Sequence, residues 1–369
     1  MKDPLRGIVL FVAIFLMVYA AAHLYIWWRL VKPLALHGTW LVAVRIAIGV
    51  LFVSFPLIHF GFRHDSGSLV GAMNWFSSVW MGMVVYFVVV TLACDVIHLV
   101  LFRRPFSGPM ASGTITAVVV LITGYGLIEA RQIGVTTLHV RMPNLSSELR
   151  LVQISDVHLG RIVRGARLSA IVQKVNSLQP DLIVITGDLV DAEALHMEEM
   201  IPLLRELKAR HGVYAVTGNH EFFAGVGRVE AFLKQAGVTC LRNRSVTVAG
   251  NLQLIGLDDP MAWRFTGTTP PPLSQLVECG KPTVLLLHTP VTTLEQLSAA
   301  GVHLQLSGHT HKGQLWPLHA VVKLIYKQTP YGLLSNGKST IYVSRGVGTW
   351  GPPMRVGAPP EITLVMLTP

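Results

Sequence analysis

Five short polar stretches in this sequence carry residue types that bind metal ions. They are SDVH with Asp156 and His158, GDLVD with Asp188, GNHE with Asn219 and His220, LLHTP with His288, and GHTH with His309 and His311. Carboxylates, an amide oxygen and neutral imidazoles form a mixed hard and borderline donor set, suited to Mn, Fe, Zn or Ni. No thiolate joins them, which argues against a structural zinc knot. Cys94, Cys240 and Cys279 make no CxxC pair and no disulfide framework. A carboxylate can bridge two cations, and Asp188 is the natural bridge. Two cations roughly 3.5–4 Å apart would activate a shared water and clamp both oxygens of an in-line phosphoryl displacement. A lone histidine such as His288 is more often a hydrogen-bonded core residue, but five such stretches in order reverse that reading. Asp258 and Asp259 in LDDP read as an ordinary turn and stay outside the metal shell.

Each stretch closes an apolar run, and the runs define the elements that must position it. ELRLVQISD, PDLIVITGD, GVYAVTGNH, PTVLLLHTP and VHLQLSGHTH each read as a strand ending in a polar loop. RLSAIVQKVNSL, MIPLLRELKAR, VEAFLKQAG and TLEQLSAAG read as helices between or after them. LIVIT and VLLLH are apolar on both faces, which marks strands covered on both sides. The alternation predicts an α/β domain, in which ligands gather beyond the carboxyl ends of strands. The ligand pairs in DVH and HTH are expected to alternate along an extended backbone. The glycines before Asp188, Asn219 and His309 are expected to allow a tight turn or a close backbone approach.

The remainder of the chain is different in kind. Of 369 residues, 51% are hydrophobic and 14% charged, too apolar for an ordinary soluble enzyme. Charge is scarce before about Ile128. Apolar runs cover Ile8 to Trp28, Trp40 to Phe60, Trp75 to Phe102 and Ile115 to Ile128. A span needs roughly 20 helical residues; the fourth run reaches that length when counted from Ser112 to Ala130. The expected organisation is an all-α region of four membrane helices over 1–130 and a second domain over 149–369. Four spans put the N-terminus and the second domain on one side. Lys2, Arg6, Arg63, Arg131 and Arg141 on that side nearly balance Arg29, Lys32, Arg103 and Arg104 on the other. The side assigned to the second domain is the cytoplasmic one. The net charge of +10 suits an anionic bilayer or anionic substrates. Its basic residues are spread out and no nucleic-acid module shows, so nucleic acid is not expected as a partner. Asp95 and His98 stand three apart on one span and are candidates for binding a lipid head group, or for holding the bundle together.

SDVHLG, TGDLVD, TGNHE, LLHTP and SGHTHKGQ, in this order, resemble the calcineurin-like metallophosphoesterase superfamily, and more narrowly its membrane-associated bacterial YkuE/YaeI-type branch. The resemblance covers about Leu149 to Leu367 and leaves the four spans unexplained. It implies a four-layer α-β-β-α sandwich with the site at its loop edge. It also implies that Asp156, His158 and His311 hold one divalent cation, that Asn219, His288 and His309 hold the other, and that Asp188 bridges them. His220 would be the catalytic histidine that stabilises the phosphoryl group and protonates the leaving oxygen, and Asp191 the acid that orients it. The nucleophile implied is a metal-activated hydroxide, with manganese the first choice among the candidate ions. Two departures stand out. Glu221 replaces the more usual Asp after GNH, and Lys312 replaces the usual glycine after GHTH.

The function expected is a membrane-bound, dinuclear-metal phosphoesterase of the cell membrane. Its substrate would carry a phosphoester or pyrophosphate bond, and anchoring makes a lipid-linked one attractive. Trp263, Phe265 and Trp316 are candidates for an apolar rim. The alternative is a four-span sensor or transporter whose phosphoesterase-like domain only binds metal or nucleotide. No oligomeric state is assigned.

Overall fold

The computed structural model describes residues 4–62, 67–193, 196–267 and 269–369, and among residues 4–11 and at 264 some side chains are left undescribed. Lys2 and Arg63, and the side chain of Arg6, used above to weigh orientation, lie outside the described residues. The chain divides into two compact units. One runs through Ile128 and includes the short segment Gly351–Met354; the other holds Glu129–Trp350 and Arg355–Pro369.

In the first unit four helices are long and apolar enough to cross a membrane: Val12–Leu34, Gly38–Gly61, Ser68–Phe102 and Pro109–Glu129. At 1.5 Å per residue the third is about 50 Å long, well beyond a hydrocarbon core of about 30 Å. Leu24, Val50, Val100 and Leu121 point outward on the four helices, a surface that lipid covers at no cost and water would not. The chain is therefore a membrane protein. Several of its polar side chains pair inside the bundle. Arg29 grips Asp95, with Nε at 3.0 Å from Oδ2, and donates to the Phe106 carbonyl at 3.1 Å. Trp80 donates to His23 at 3.0 Å. Asp95 and His98 do not pair with each other: His98 contacts the Arg104 carbonyl instead. A carboxylate among apolar helices needs a positive partner, and Asp95 finds it on another helix.

The second unit is two six-stranded sheets. In chain order the strands are β1 (Gly134–Arg141), β2 (Leu149–Ile154), β3 (Leu182–Thr186), β4 (Val213–Val216), β5 (Thr239–Cys240) and β6 (Arg244–Val248). They continue as β7 (Leu252–Gly256), β8 (Thr283–Leu286), β9 (Leu304–Ser307), β10 (Gly332–Ser335), β11 (Thr340–Val343) and β12 (Glu361–Thr368). The sheets are ordered β1-β12-β2-β3-β4-β5 and β10-β11-β9-β8-β7-β6. β2 to β5 run parallel to one another, as do β7, β8, β9 and β11. Strand alternation divides the core into layers. Leu151, Val184, Val284 and Leu306 meet between the sheets. Ile154, Ile183 and Ile185 face helices Gly165–Ser177 and Val226–Gln235 through Leu168, Ile171 and Phe232. Ile255, Leu285 and Ile341 face Leu297 of helix Leu294–Ala300. This is the α-β-β-α sandwich. The helix expected over MIPLLRELKAR begins earlier and stops at Leu204, with Pro202 inside it.

Glu361 fastens the last strand to the loop behind the site. It accepts from Thr136 Oγ1 (2.6 Å), Tyr342 (2.9 Å) and the backbone and Nε of Arg345 (2.8 and 2.9 Å). Burial works against its charge, yet Arg345 holds its carboxyl below the usual range. A depressed carboxyl stabilises the fold above its unfolded pKa of about 4.3, and that stability is lost as pH falls through the folded value. Glu361→Gln is expected to cost about 1–3 kcal/mol at neutral pH. Thermal melts should show that difference shrinking below about pH 4; an equal deficit at every pH would contradict it.

Candidate metal centre

Because β2, β3 and β4 are parallel in one sheet, and β8 and β9 in the other, their carboxyl ends deliver the polar stretches to one edge of each sheet. Asp156 and His158 follow β2, Asp188 and Asp191 follow β3, and Asn219 and His220 follow β4, opening the helix Asn219–Ala224. His288 follows β8, and His309 and His311 follow β9. The structure brings all nine residues together. Ligand atoms of Asp156, His158 and His311 converge within 4.8 Å, as do those of Asp188, His288 and His309, and those of His158, Asp191 and His220.

The backbone turns at the ligands instead of running extended. Asp156, His158, Asp188, His309 and His311 all take positive φ, between 48° and 72°. The expectation of alternation along an extended chain is therefore corrected. Each left-handed residue costs of order 1–3 kcal/mol and persists only where surroundings over-determine it. Here they do. His158 and Leu159 donate to the carbonyls of Asp188 and Leu189 at 3.0 and 2.9 Å, and the His309 amide donates to the Asp156 carboxylate at 2.9 Å. The glycines serve close approach: a side chain at Gly218 would strike the Asp188 carboxylate, and one at Gly308 would strike Ser155 and Asp156.

The donor set fits divalent cations. Nδ1 of His288 donates to the Thr186 carbonyl at 2.7 Å, and Nε2 faces Asp188 Oδ2 at 3.1 Å. Burial opposes charge on the ring, but Asp188 raises it well above the ordinary imidazole value, so a proton sits between the two atoms. Two such atoms that close need positive charge between them, a proton or a metal ion. His309 Nδ1 completes this group, 3.3 Å from His288 Nε2 and 2.9 Å from Asn219 Oδ1. On the other side the Nε2 atoms of His158 and His311 are 3.1 Å apart, and His311 Nε2 is 3.4 Å from Asp156. Arg355 can only donate, and it faces His311 Nδ1 at 3.0 Å, so the neutral ring carries its proton on Nε2, which points at His158 Nε2. Buried His158 Nδ1 has no hydrogen-bond partner among the described residues. Burial pushes His158 down to about 4 and Asp156 up to about 6. The imidazole is therefore neutral and ready to coordinate.

His220 stands apart from these ligands. Its backbone N–H donates to Asp188 Oδ1 at 3.0 Å, and its Nδ1 lies 3.0 Å from Asp191 Oδ1, an ion-pair contact rather than an aligned hydrogen bond. Burial opposes its charge, but Asp188 and Asp191 raise it to about 9. Asp191, which burial would raise, is drawn down to about 2 by His220. An imidazolium beside a carboxylate can give up a proton. Trp350, half exposed, and Phe223 put their rings 6.2 and 5.8 Å from His220, and Phe265 stands 6.1 Å beyond Phe223. Of the rim residues expected, Phe265 joins this wall, while Trp316 stacks on His319.

Two residues that hold the site escaped sequence reasoning. Glu221 accepts the backbone N–H groups of Gly218, Asp188, Leu189 and Val190 at 2.6 to 3.2 Å, pinning two ligand loops together. The motif names it but gives no hint of this reach. Arg355, fully buried, donates to the carbonyls of Arg345 and Gly348 as well as meeting His311. A single arginine in MRVG carries no spacing signal. Asp258 is taken up by Arg242, at 2.8 and 2.9 Å, and by Asn243 and Thr217. Arg167 donates to the carbonyls of Ala130, Arg131 and Val347. Lys312 lies over the Tyr331 ring, 5.0 Å from its centre.

Residues 149–313 match the calcineurin-like phosphoesterase family. An uncharacterized metallophosphoesterase of Campylobacter jejuni is 30% identical over 97% of this chain and 98% of its own. A zebrafish transmembrane protein with metallophosphoesterase domain is 31% identical over 93% of this chain and 86% of its own. The uncharacterized metallophosphoesterase YkuE of Bacillus subtilis is 32% identical over 72% of this chain and 96% of its own.

Proposed function

Because the chain belongs to the calcineurin-like metallophosphoesterases, metal-dependent hydrolases of phosphoester bonds, we propose that it holds two divalent cations at this centre and cleaves a phosphoester or pyrophosphate bond in a lipid-linked substrate. The observation that carries the reading is the convergence of the Asp188 carboxylate with His288 Nε2 at 3.1 Å, beside the neutral imidazoles of His158, His309 and His311. Asp156, His158 and His311 would hold one cation, Asn219, His288 and His309 the other, with Asp188 shared between them. Manganese is the first choice of ion. The phosphoesterase domain is taken as 149–369 and the membrane region as 1–130. The protein is placed in the cell membrane with that domain on the cytoplasmic side.

Bound cations supply a water of lowered pKa and neutralise phosphate charge. The remaining work belongs to the chain. Protonated His220 contacts a phosphoryl oxygen and gives its proton to the leaving oxygen. Asp191, 3.0 Å away, keeps the ring charged and oriented. Trp350 and Phe223 shield His220 from water on the open side and offer an acyl chain an apolar wall.

The test uses the full chain in detergent, stripped with EDTA and reloaded with Mn²⁺. Hydrolysis of a chromogenic phosphodiester should vanish on stripping and return on reloading. A pyrophosphate-linked lipid should give the higher kcat/KM. Undiminished turnover by protein shown to be metal-free would sink the metal-dependent mechanism. No turnover of either substrate by metal-loaded protein would sink the enzyme reading, and equal kcat/KM for soluble and lipid-linked substrates would remove the lipid part alone.

A further inference from the structure

Between Glu295 and Glu361 the sequence contains no Asp or Glu, yet it carries Lys312, Lys323, Lys327 and Lys338. In the middle of this stretch lies the short helix His319–Ile325. Val321, Leu324 and Ile325 share one face of it, at i, i+3 and i+4. Leu324 is 74% and Ile325 65% exposed, and Trp316, just before the helix, is 56% exposed. No residue of this helix is buried. A soluble surface seldom gathers a tryptophan and three large aliphatics in one stretch of chain that holds no acid. That combination of an apolar face, an interfacial tryptophan and flanking lysines is the pattern of a helix lying in the head-group layer of a membrane.

We propose that the Trp316–Ile325 segment is a bilayer-contacting lip: its apolar face enters an anionic lipid surface while Lys323 and Lys327 meet lipid phosphates. Charge complementarity selects the occupant, because the whole Glu295–Glu361 interval is free of acid and the lysines stand beside the apolar face. The lip is joined to the metal centre. Tyr326, immediately after the helix, sets its ring 5.8 Å from that of His309, and Lys323 and Lys312 both lie over Tyr331. Seating the lip therefore holds the metal centre at the level of the head groups. The inference goes beyond the proposed reaction and is tested without turnover.

Leu324→Cys is made in the full chain with Cys279→Ser. Cys279 is the exposed native cysteine, and Cys94 and Cys240, both partly exposed, are changed to alanine as well so that the introduced cysteine is the one thiol. A nitroxide is attached and the chain is reconstituted in phosphatidylcholine–phosphatidylglycerol vesicles. Collision with oxygen, which partitions into lipid, is compared with collision with a water-soluble nickel chelate. Lys234→Cys, on the exposed face of another helix, is the control. The expected oxygen-to-nickel ratio at position 324 is severalfold above that at 234. It should fall in vesicles of phosphatidylcholine alone. Ile325→Cys repeats the measurement, and retained metal content certifies that each labelled chain is folded. Ratios equal to the control would overturn the proposal in favour of a face open to water. A label shielded from both colliders would overturn it in favour of contact with a second copy. A ratio unaffected by phosphatidylglycerol would remove the role of the lysines.

Discussion

Asp188→Asn should empty the metal centre and lower turnover by at least about a thousandfold, more than the 10²–10³ typical of losing one preorganised charge-stabilising group. The reason is position. One carboxylate oxygen of Asp188 faces His288 at 3.1 Å and His158 at 3.8 Å, and the other accepts the His220 amide. In the proposed arrangement this is the one side chain that touches both cations. An amide keeps the shape but offers a single neutral oxygen, too little to bridge. The loops should survive, because Glu221 and not Asp188 ties the N–H groups of Gly218, Leu189 and Val190. Metal analysis and a thermal melt of the purified variant check both halves. A variant that retained two ions and full turnover would show that Asp188 is not the bridge.

His220→Ala should lose activity in a different way: turnover down about 10²–10⁴-fold, the usual worth of a positioned acid, with metal content unchanged. Its ring nitrogen faces Asp191, and both Asp191 and Asp188 hold it protonated against the pull of burial. The loss should depend on the leaving group. An alkoxide needs the proton; a nitrophenolate scarcely does. The variant should therefore recover most of its deficit on a nitrophenyl ester and little on an alkyl ester. Asp191→Asn should follow the same trend with a smaller loss, about 10–100-fold. Loss of metal from the His220 variant would instead make this histidine a ligand, as the convergence of His158, Asp191 and His220 also allows.

Much of this was open to reading along the chain, for local reasons. Metal chemistry restricts the residue types, and a parallel strand ends where its apolar run ends. The five polar stretches could therefore be placed at strand ends without coordinates. The unbroken apolar runs LIVIT and VLLLH similarly called for covering layers on both sides, and those layers are present as Ile183 and Leu285 against helices, Val184 and Val284 against the other sheet. The four spans announced themselves by length and apolarity alone.

Other features depend on partners far away in sequence. Asp156, His158, His309 and His311 look extended when read singly, but cross-loop backbone hydrogen bonds at the first three, and the Arg355 side chain donating to the His311 carbonyl, hold them in left-handed turns. No local rule forecasts a turn that is stabilised from another strand. The same applies to Arg355, which reaches His311 across 44 positions, and to Asp95, which pairs with Arg29 across 66. Glu221 was visible as a variation in a motif, but its role as an anchor for two loops was not. The sequence by itself therefore determined the candidate ligand types, the strands that carry them and the membrane spans. Only the tertiary structure decided which ligand atoms face one another, because that depends on side chains from two sheets arriving at one edge.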